Sequence, residues 1–266
     1  ASISGLKYMA TNSTNYLFTS RDYFIFSPAN LMSASFIFVL TINLEGGFAP
    51  AFIEYSSGVR GVINLKPNTK VVGTGTSSSP YVVQDEINLG NKILAEYGGK
   101  DNISEAPAGT FASVNGSTDN LMYKMKDDYG DSYYFRGAKD YIPNNLIFAE
   151  HQWKIVRING DGSIRLIYNG TCPDNSCTIN STGTTTQIGT SAYNTSYTDN
   201  KYVGYMYGGA AGIASTSREQ ATTNETSSTI KTFLDNWYST NILETDYENY
   251  ISDTLFCNDR QLQSEV

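Results

Sequence analysis

The sequence contains a single histidine, His151. One imidazole excludes a multi-histidine zinc site and leaves no spare histidine for a nucleophile-activating triad. Three cysteines, Cys172, Cys177 and Cys257, are too few for a tetrahedral thiolate site. Charge is scarce as well: 17% of the 266 residues are charged, and the net charge is −8. An acidic chain without a clustered basic run cannot neutralise phosphates, which argues against a nucleic-acid partner. The longest apolar patch, Phe36-Ile37-Phe38-Val39-Leu40, is strand-length, well short of the roughly 18 residues of a membrane span. The Gly/Ser loop at 73–80 lacks the Lys-Ser/Thr ending of a phosphate loop, and no other cofactor or metal motif is present. No signal peptide opens the chain, so a secreted form would be a processed one.

What the chain does have is tyrosine, with 20 Tyr beside 12 Phe and 2 Trp. Its polar surface must come from Ser, Thr, Asn and Gly. That mixture fits a β-rich extracellular protein better than a helical cytosolic enzyme. The expected fold class is α+β and β-rich, with mixed or antiparallel sheets, hairpins and a few short amphipathic helices.

Three segments differ in texture. Residues 1–84 read as short strands: Phe36–Ile42 followed by a turn at Glu45-Gly46-Gly47, then Val62–Leu65 stopped by Pro67, then Tyr81–Val83. Residues 85–120 read as a helix over 85–98, stopped by Gly98-Gly99, and then a polar linker. Residues 121–266 begin a second β-rich part. Its clearest signal is a hairpin over Trp153–Tyr168. Trp153, Ile155 and Arg157 should point one way, and Lys154, Val156 and Ile158 the other, around an Asn159-Gly160-Asp161-Gly162 turn. Ile230, Phe233, Leu234, Trp237 and Tyr238 predict an amphipathic helix over Ser227–Tyr238, capped by Ser227 or Ser228, with Trp237 as a core anchor.

Cys172-Pro173-Asp174-Asn175-Ser176-Cys177 reads as a turn closed by a local disulfide, with two reduced thiols as the alternative. Cys257 is then left over, either buried or paired outside this chain. The carboxylates Asp127, Asp128 and Asp131 read as a solvated turn rather than a hydrolytic pair, and Glu150-His151 as a surface pair rather than a dyad. No enzymatic activity is expected. The Asn-X-Ser/Thr sequons at Asn12, Asn102, Asn115, Asn169, Asn180, Asn194 and Asn224 predict exposed stretches. No Lys–Asn pair for a covalent cross-link can be placed from spacing.

Several strings resemble a module of repetitive, mostly uncharacterised surface proteins of gut-dwelling Gram-positive bacteria, itself distantly similar to C-type-lectin-like folds. They are Ser132-Tyr133-Tyr134-Phe135-Arg136-Gly137-Ala138, the Trp153–Tyr168 hairpin, Gln187–Asn194, Tyr202–Gly208, the helix from Ser228, and Tyr250–Thr254 leading to Cys257-Asn258-Asp259-Arg260. Tyr23-Phe24-Ile25-Phe26-Ser27-Pro28 and Ser57–Lys66 resemble the module's closing strands, with Gly61 where proline is usual. The resemblance therefore puts the module's tail (residues 1–84) before its head (121–266). A half-module would expose strand edges. Two arrangements relieve that: the tail completes the head of a neighbouring copy, or it closes onto its own head as a permuted domain.

The resemblance implies an extracellular, cell-surface subunit of a bacterial filament, a head-to-tail homopolymer joined by complementation of split modules. The expected interface is Tyr23, Phe24, Phe26, Val59, Val62, Ile63 and Leu65 of the tail against Trp153, Ile155 and Leu166 of the head. The other reading is a lectin-like adhesin whose exposed Tyr and Asn side chains bind glycans.

Overall fold

The computed structural model describes residues 13–28 and 37–254. In the tail, the strands are β1 (Tyr23–Pro28), β2 (Phe38–Ile42), β3 (Phe48–Phe52), β4 (Ser56–Val59), β5 (Val62–Leu65), β6 (Lys70–Val72) and β7 (Tyr81–Val83). Strand β8 (Ile87–Asn88) leads into helix α1 (Leu89–Glu96). The head contains β9 (Asn120–Asp127), β10 (Gly130–Gly137), β11 (Asn145–Phe148), β12 (His151–Ile158), β13 (Ile164–Thr171) and β14 (Gly189–Ala192). It ends with β15 (Met206–Tyr207), α2 (Arg218–Thr222), β16 (Thr226–Ser227) and α3 (Thr229–Asn241). The protein is thus β-dominated, with three short α-helices among the described residues.

Two sheets carry the fold. The smaller runs β14-β4-β1-β2-β3. The larger has nine strands, β5-β13-β12-β11-β7-β6-β8, with β10 and β9 branching from β12. The pairs β1·β4 and β7·β11 are parallel, and the rest of both sheets is antiparallel. β15 and β16 form a separate ribbon.

Local sequence accounts for the main elements. Val62-Ile63-Asn64-Leu65 and Tyr81-Val82-Val83 are β-branched or aromatic runs ended by turn residues. Helix α1 is shorter than the predicted 85–98, because Ile87 and Asn88 pair with β6 before the helix begins. The Asn88 side chain then caps it, accepting from the Asn91 N–H at 2.9 Å. The loop over 99–119 holds two single 3-10 turns, at Lys100–Asn102 and Thr110–Ala112. Helix α3 begins at Thr229 with Ser228 as its cap, accepting from the Lys231 N–H at 3.2 Å, whereas Ser227 belongs to β16.

The Trp153–Tyr168 hairpin departs from simple alternation. The β12–β13 register shifts between Ile155 and Arg157, a β-bulge. The extra residue reverses the side-chain parity beyond it. Ile158 therefore joins Trp153, Ile155, Ile164, Leu166 and Tyr168 in one buried cluster instead of facing away from them.

The sequon asparagines also divide. Asn102, Asn180 and Asn224 are exposed, but Asn115, Asn169 and Asn194 are buried, contrary to the expectation of exposure. The carboxamides of Asn115 and Asn169 bond within the protein, Asn115 to Thr14 and Asn15 and Asn169 to Arg60. Asn194 accepts from Thr229 Oγ1 at 3.4 Å. Asn12 lies outside the described residues, as does Cys257.

Two apolar cores follow from the sheets. One joins Ile63, Leu65, Val71 and Tyr81 of the tail to α1 and to Phe135, Trp153, Ile155 and Leu166 of the head. The other joins Phe24, Val39, Ile53 and Val59 to Tyr193, Tyr202, Tyr207 and Ile230. Both cores are therefore built from tail and head together, and the 85–120 segment contributes Leu89, Ile93, Leu94 and Ile103 to the first.

Candidate functional site

The tail meets the head of the same chain through β7, which pairs with β11, and along the stretch 56–65. Its first half, β4, pairs antiparallel with β14, from Val59 opposite Gly189 to Ser56 opposite Ala192. Its second half, β5, pairs antiparallel with β13: Leu65 with Ile164, Asn64 with Arg165, Ile63 with Leu166 and Val62 with Ile167. The far side of β5 is bridged as well. Leu65 pairs with Ile251, the Ser252 N–H donates to the Asn64 carbonyl at 2.8 Å, and the Lys66 N–H donates to the Tyr250 carbonyl at 2.8 Å. β5 is thus a strand inserted between two head segments.

The side chains follow the alternation of the strands. Ile63 and Leu65 enter the first core with Trp153, Ile155 and Leu166, while Val59 enters the second with Phe24. Each fully buried aliphatic side chain stabilises by about 1.5–3 kcal/mol relative to exposure. Val62 lies on the opposite face and is half-buried. Tyr23 is buried apart from these clusters, its hydroxyl donating to the Leu17 carbonyl at 2.9 Å. Phe26 lies in β1.

Residues that sequence reasoning passed over fix the turn between β4 and β5. Arg60 is 5% exposed. Its Nε donates to the Tyr168 carbonyl at 2.9 Å, one terminal nitrogen to Asn169 Oδ1 at 3.1 Å and the other to the Leu17 carbonyl at 3.2 Å. Its guanidinium lies 4.9 Å from the centre of the Tyr23 ring. Burial pulls the Arg60 pKa down, and the neighbouring Tyr23 and Tyr16 hydroxyls act against that pull. A lone cation inside the strand-like run Val59–Leu65 was the available signal, since a buried charge demands partners. Gly58 is the second such residue. A Cβ there would meet the Gln187 side chain at 1.9 Å and the Asp22 carbonyl at 2.6 Å. Asn64 is the third, its Oδ1 accepting from Asn159 Nδ2 and Arg165 Nε, each at 3.1 Å.

No protein-family model matches the chain, and no curated protein or solved structure is similar to it. Its chemistry has to be read from its own geometry.

Cys172 and Cys177 are joined by a disulfide. The loop it closes holds the β11–β12 turn: the Cys172 N–H donates to the Glu150 carbonyl at 2.6 Å, and the Glu150 N–H donates to Asn175 Oδ1 at 3.0 Å. Ala149 and Glu150 both have positive φ, 52° and 60°, as a two-residue hairpin turn requires. That conformation disfavours residues with a Cβ, so the external clamp matters.

The acidic cluster has a structural task. Asp127 accepts from Ser132 Oγ at 2.5 Å, from the Gly160 N–H at 2.9 Å and from the Tyr129 N–H at 2.9 Å. Burial raises its pKa, but these hydrogen bonds and the charge of Arg157 outweigh burial and hold it below the ordinary value. Asp131 lies 3.9 Å from Lys124. His151 is not a surface residue: it is buried against Trp153, Tyr168 and Trp237, with Nδ1 against the Ala149 carbonyl. Among the described residues, no group of three or more His, Cys, Asp or Glu could hold a metal ion, and no helix is long and apolar enough to cross a membrane.

Beside the junction lies a cleft of about 260 Å³, lined by Tyr16, Phe18, Phe48, Phe111, Phe135, Asn15 and Asn115 among others. Arg136 lies in its wall, committed to Asp119, Thr110, Ser113 and Val114.

Proposed function

We propose that the protein is a structural subunit of an extracellular bacterial filament, in which the tail of one copy completes the head of the next. The observation that carries this reading is the stretch 56–65, which pairs with head strand β14 through β4 and with head strand β13 through β5. Strand addition relies on backbone hydrogen bonds and on pockets for alternate side chains, so a second copy can supply the same strand. The contact joins different surfaces of the chain, and a heterologous contact that does not close into a ring grows into an open filament. Between β7 and β8 lie only residues 84–86, and β8 itself has two residues. Exchange of the tail at this hinge would require β7 to leave β11 and β6 to leave β8, and the neighbouring copy would restore the same pairs. The charge-poor, Tyr/Ser/Thr/Asn-rich composition and the resemblance to repetitive surface modules favour an extracellular, cell-surface setting.

Negative-stain electron microscopy, with light scattering on the same sample, tests this reading. Long fibres with an axial repeat of one chain are expected. Uniform particles of one chain's mass would overturn it.

The cleft favours a second reading, a glycan-binding adhesin. Phe111, exposed at its edge, with the half-buried Phe18 and Phe48, offers stacking faces. A filament can also adhere, so the two readings are compatible. A glycan array with no binding, or binding unchanged by Phe111→Ala, would remove the adhesin reading.

A further inference from the structure

Two lysines are buried among the described residues, and their surroundings differ. Lys201 donates to three backbone carbonyls, of Gly208, Ala210 and Ile213, at 2.8–3.2 Å. It also faces the rings of Tyr202 and Tyr207. That satisfies the three donors of an ammonium. Lys154 is equally buried, 7% exposed, but among the described residues its Nζ has one hydrogen-bond partner, the Asn145 side-chain oxygen, and no salt bridge. A buried, under-partnered ammonium is costly, and the amine is the form such a site prefers.

Asn145 is 2% exposed and lies directly opposite Lys154 in the β11–β12 ladder. The neighbouring pair is hydrogen-bonded, with the Ile155 N–H donating to the Asn144 carbonyl at 2.8 Å. Asn145 and Lys154 therefore occupy the closer, non-hydrogen-bonded kind of position. The carboxamide is held still: its Nδ2 and its backbone N–H both donate to the Gly75 carbonyl, at 2.8 and 2.9 Å. Gly75 can present that carbonyl because it has no Cβ; a Cβ there would meet the Pro143 carbonyl at 2.3 Å. The Lys154 amine is thus packed against a fixed amide, in a site where burial leaves little room for competing water.

We propose that Lys154 and Asn145 join in an intramolecular isopeptide bond across β11 and β12. The Lys154 Nζ lone pair attacks Asn145 Cγ and forms the Nζ–Cγ bond. The Cγ–Nδ2 bond breaks, one amine proton passes to Nδ2, and ammonia leaves. A primary amine and a carboxamide become a secondary amide and ammonia, and no oxidant, reductant or cofactor is consumed. Geometry brings the groups together, and the environment favours the nucleophile: burial, with Arg60 and Lys139 nearby, pulls the Lys154 pKa down to about 8, against the opposing charge of Asp140. The product is a neutral amide that no longer confines a cation. The link spans one hairpin and forms whether or not copies polymerise.

Mass spectrometry of the folded chain, reduced to remove the disulfide from the arithmetic, tests this directly. The expected intact mass is lower than the sequence mass by one ammonia. Trypsin should fail to cut after Lys154, giving a 140–157 peptide lighter by the same amount. Asn145→Ala and Lys154→Gln chains should each show their full sequence mass. Full mass in the wild-type chain, with native near-UV circular dichroism on the same sample, overturns the proposal. Loss of ammonia with normal cleavage after Lys154 also overturns it, because that is cyclisation of Asn145 onto its own backbone.

Discussion

Ile63 lies directly opposite Leu166 across the β5–β13 ladder, and both side chains are buried in the core that contains Trp153. The pair joins the opening third of the chain to the head hairpin. An Ile63→Asp chain should lose about 3–5 kcal/mol of stability, the scale of an uncompensated buried charge, and should form no fibres. Leu44→Asp, at a position 54% exposed, is the control and should change neither. Urea unfolding and electron microscopy on the two variants read both effects.

The second half of the join turns on space at one atom. Gly58 lies in β4 opposite Thr190, and a Cβ there would fall 2.6 Å from the Asp22 carbonyl. The Gln187 side chain can move aside, but that backbone cannot move without disturbing the start of β1. Gly58→Val is therefore expected to weaken the tail–head contact while leaving the β5–β13 ladder formed. Hydrogen exchange should become faster at Gly58 and Thr190 and stay slow at Ile63 and Leu166. Uniform protection across both ladders would contradict this account of β4.

How far these relationships were legible in the sequence differs from residue to residue. Val62–Leu65 and Tyr81–Val83 are short β-branched runs between turn signals, and each forms a strand with those bounds. The Trp153–Tyr168 hairpin was legible as a hairpin, but its bulge was not. Parity is read from alternation, and one inserted residue leaves the composition unchanged while redirecting Ile158. Arg60 and Lys154 were not legible as buried groups, because their partners lie far away in sequence or across a ladder whose register only the fold sets. Asn115, Asn169 and Asn194 look like surface residues by type, yet all three are buried, with carboxamide oxygens that accept from Asn15, Arg60 and Thr229.

The disulfide loop should stabilise through the turn it clamps. A Cys172→Ala/Cys177→Ala chain is expected to lose about 2 kcal/mol, the chain-entropy value for so short a loop. The loss should be accompanied by faster exchange of the Glu150 amide, which now donates to Asn175. Unfolding midpoints with and without reductant measure the first effect. No change on reduction would mean that the turn holds without its clamp.

His151 gives a pH signature with a definite sign. Burial among aromatic rings pulls its pKa below the ordinary 6.5, only partly offset by the Ala149 carbonyl and the Glu150 charge. Below that value the unfolded chain takes up a proton that the folded chain refuses. The His151 contribution is therefore fully present above about pH 6.5 and is lost as pH falls through the unfolded value. Stability should begin to drop as pH falls through about 6.5, and His151→Gln should flatten that slope. A slope unchanged in the variant would assign the effect to another group.

In the proposed filament, β5 of one copy pairs with β13 of another. Val62 and Ile167 are partners in that ladder, next to the pair in which the Tyr168 N–H donates to the Gly61 carbonyl at 2.8 Å. Cysteines at both positions, in a Cys257→Ser chain, should therefore oxidise across the ladder. The measurement is a non-reducing denaturing gel of the oxidised double variant. Head-to-tail pairing between copies should give a ladder of covalent oligomers that collapses to one chain on reduction. A single band at one chain's mass, with no free thiol at either position, would mean that each tail closes on its own head, and would contradict the account.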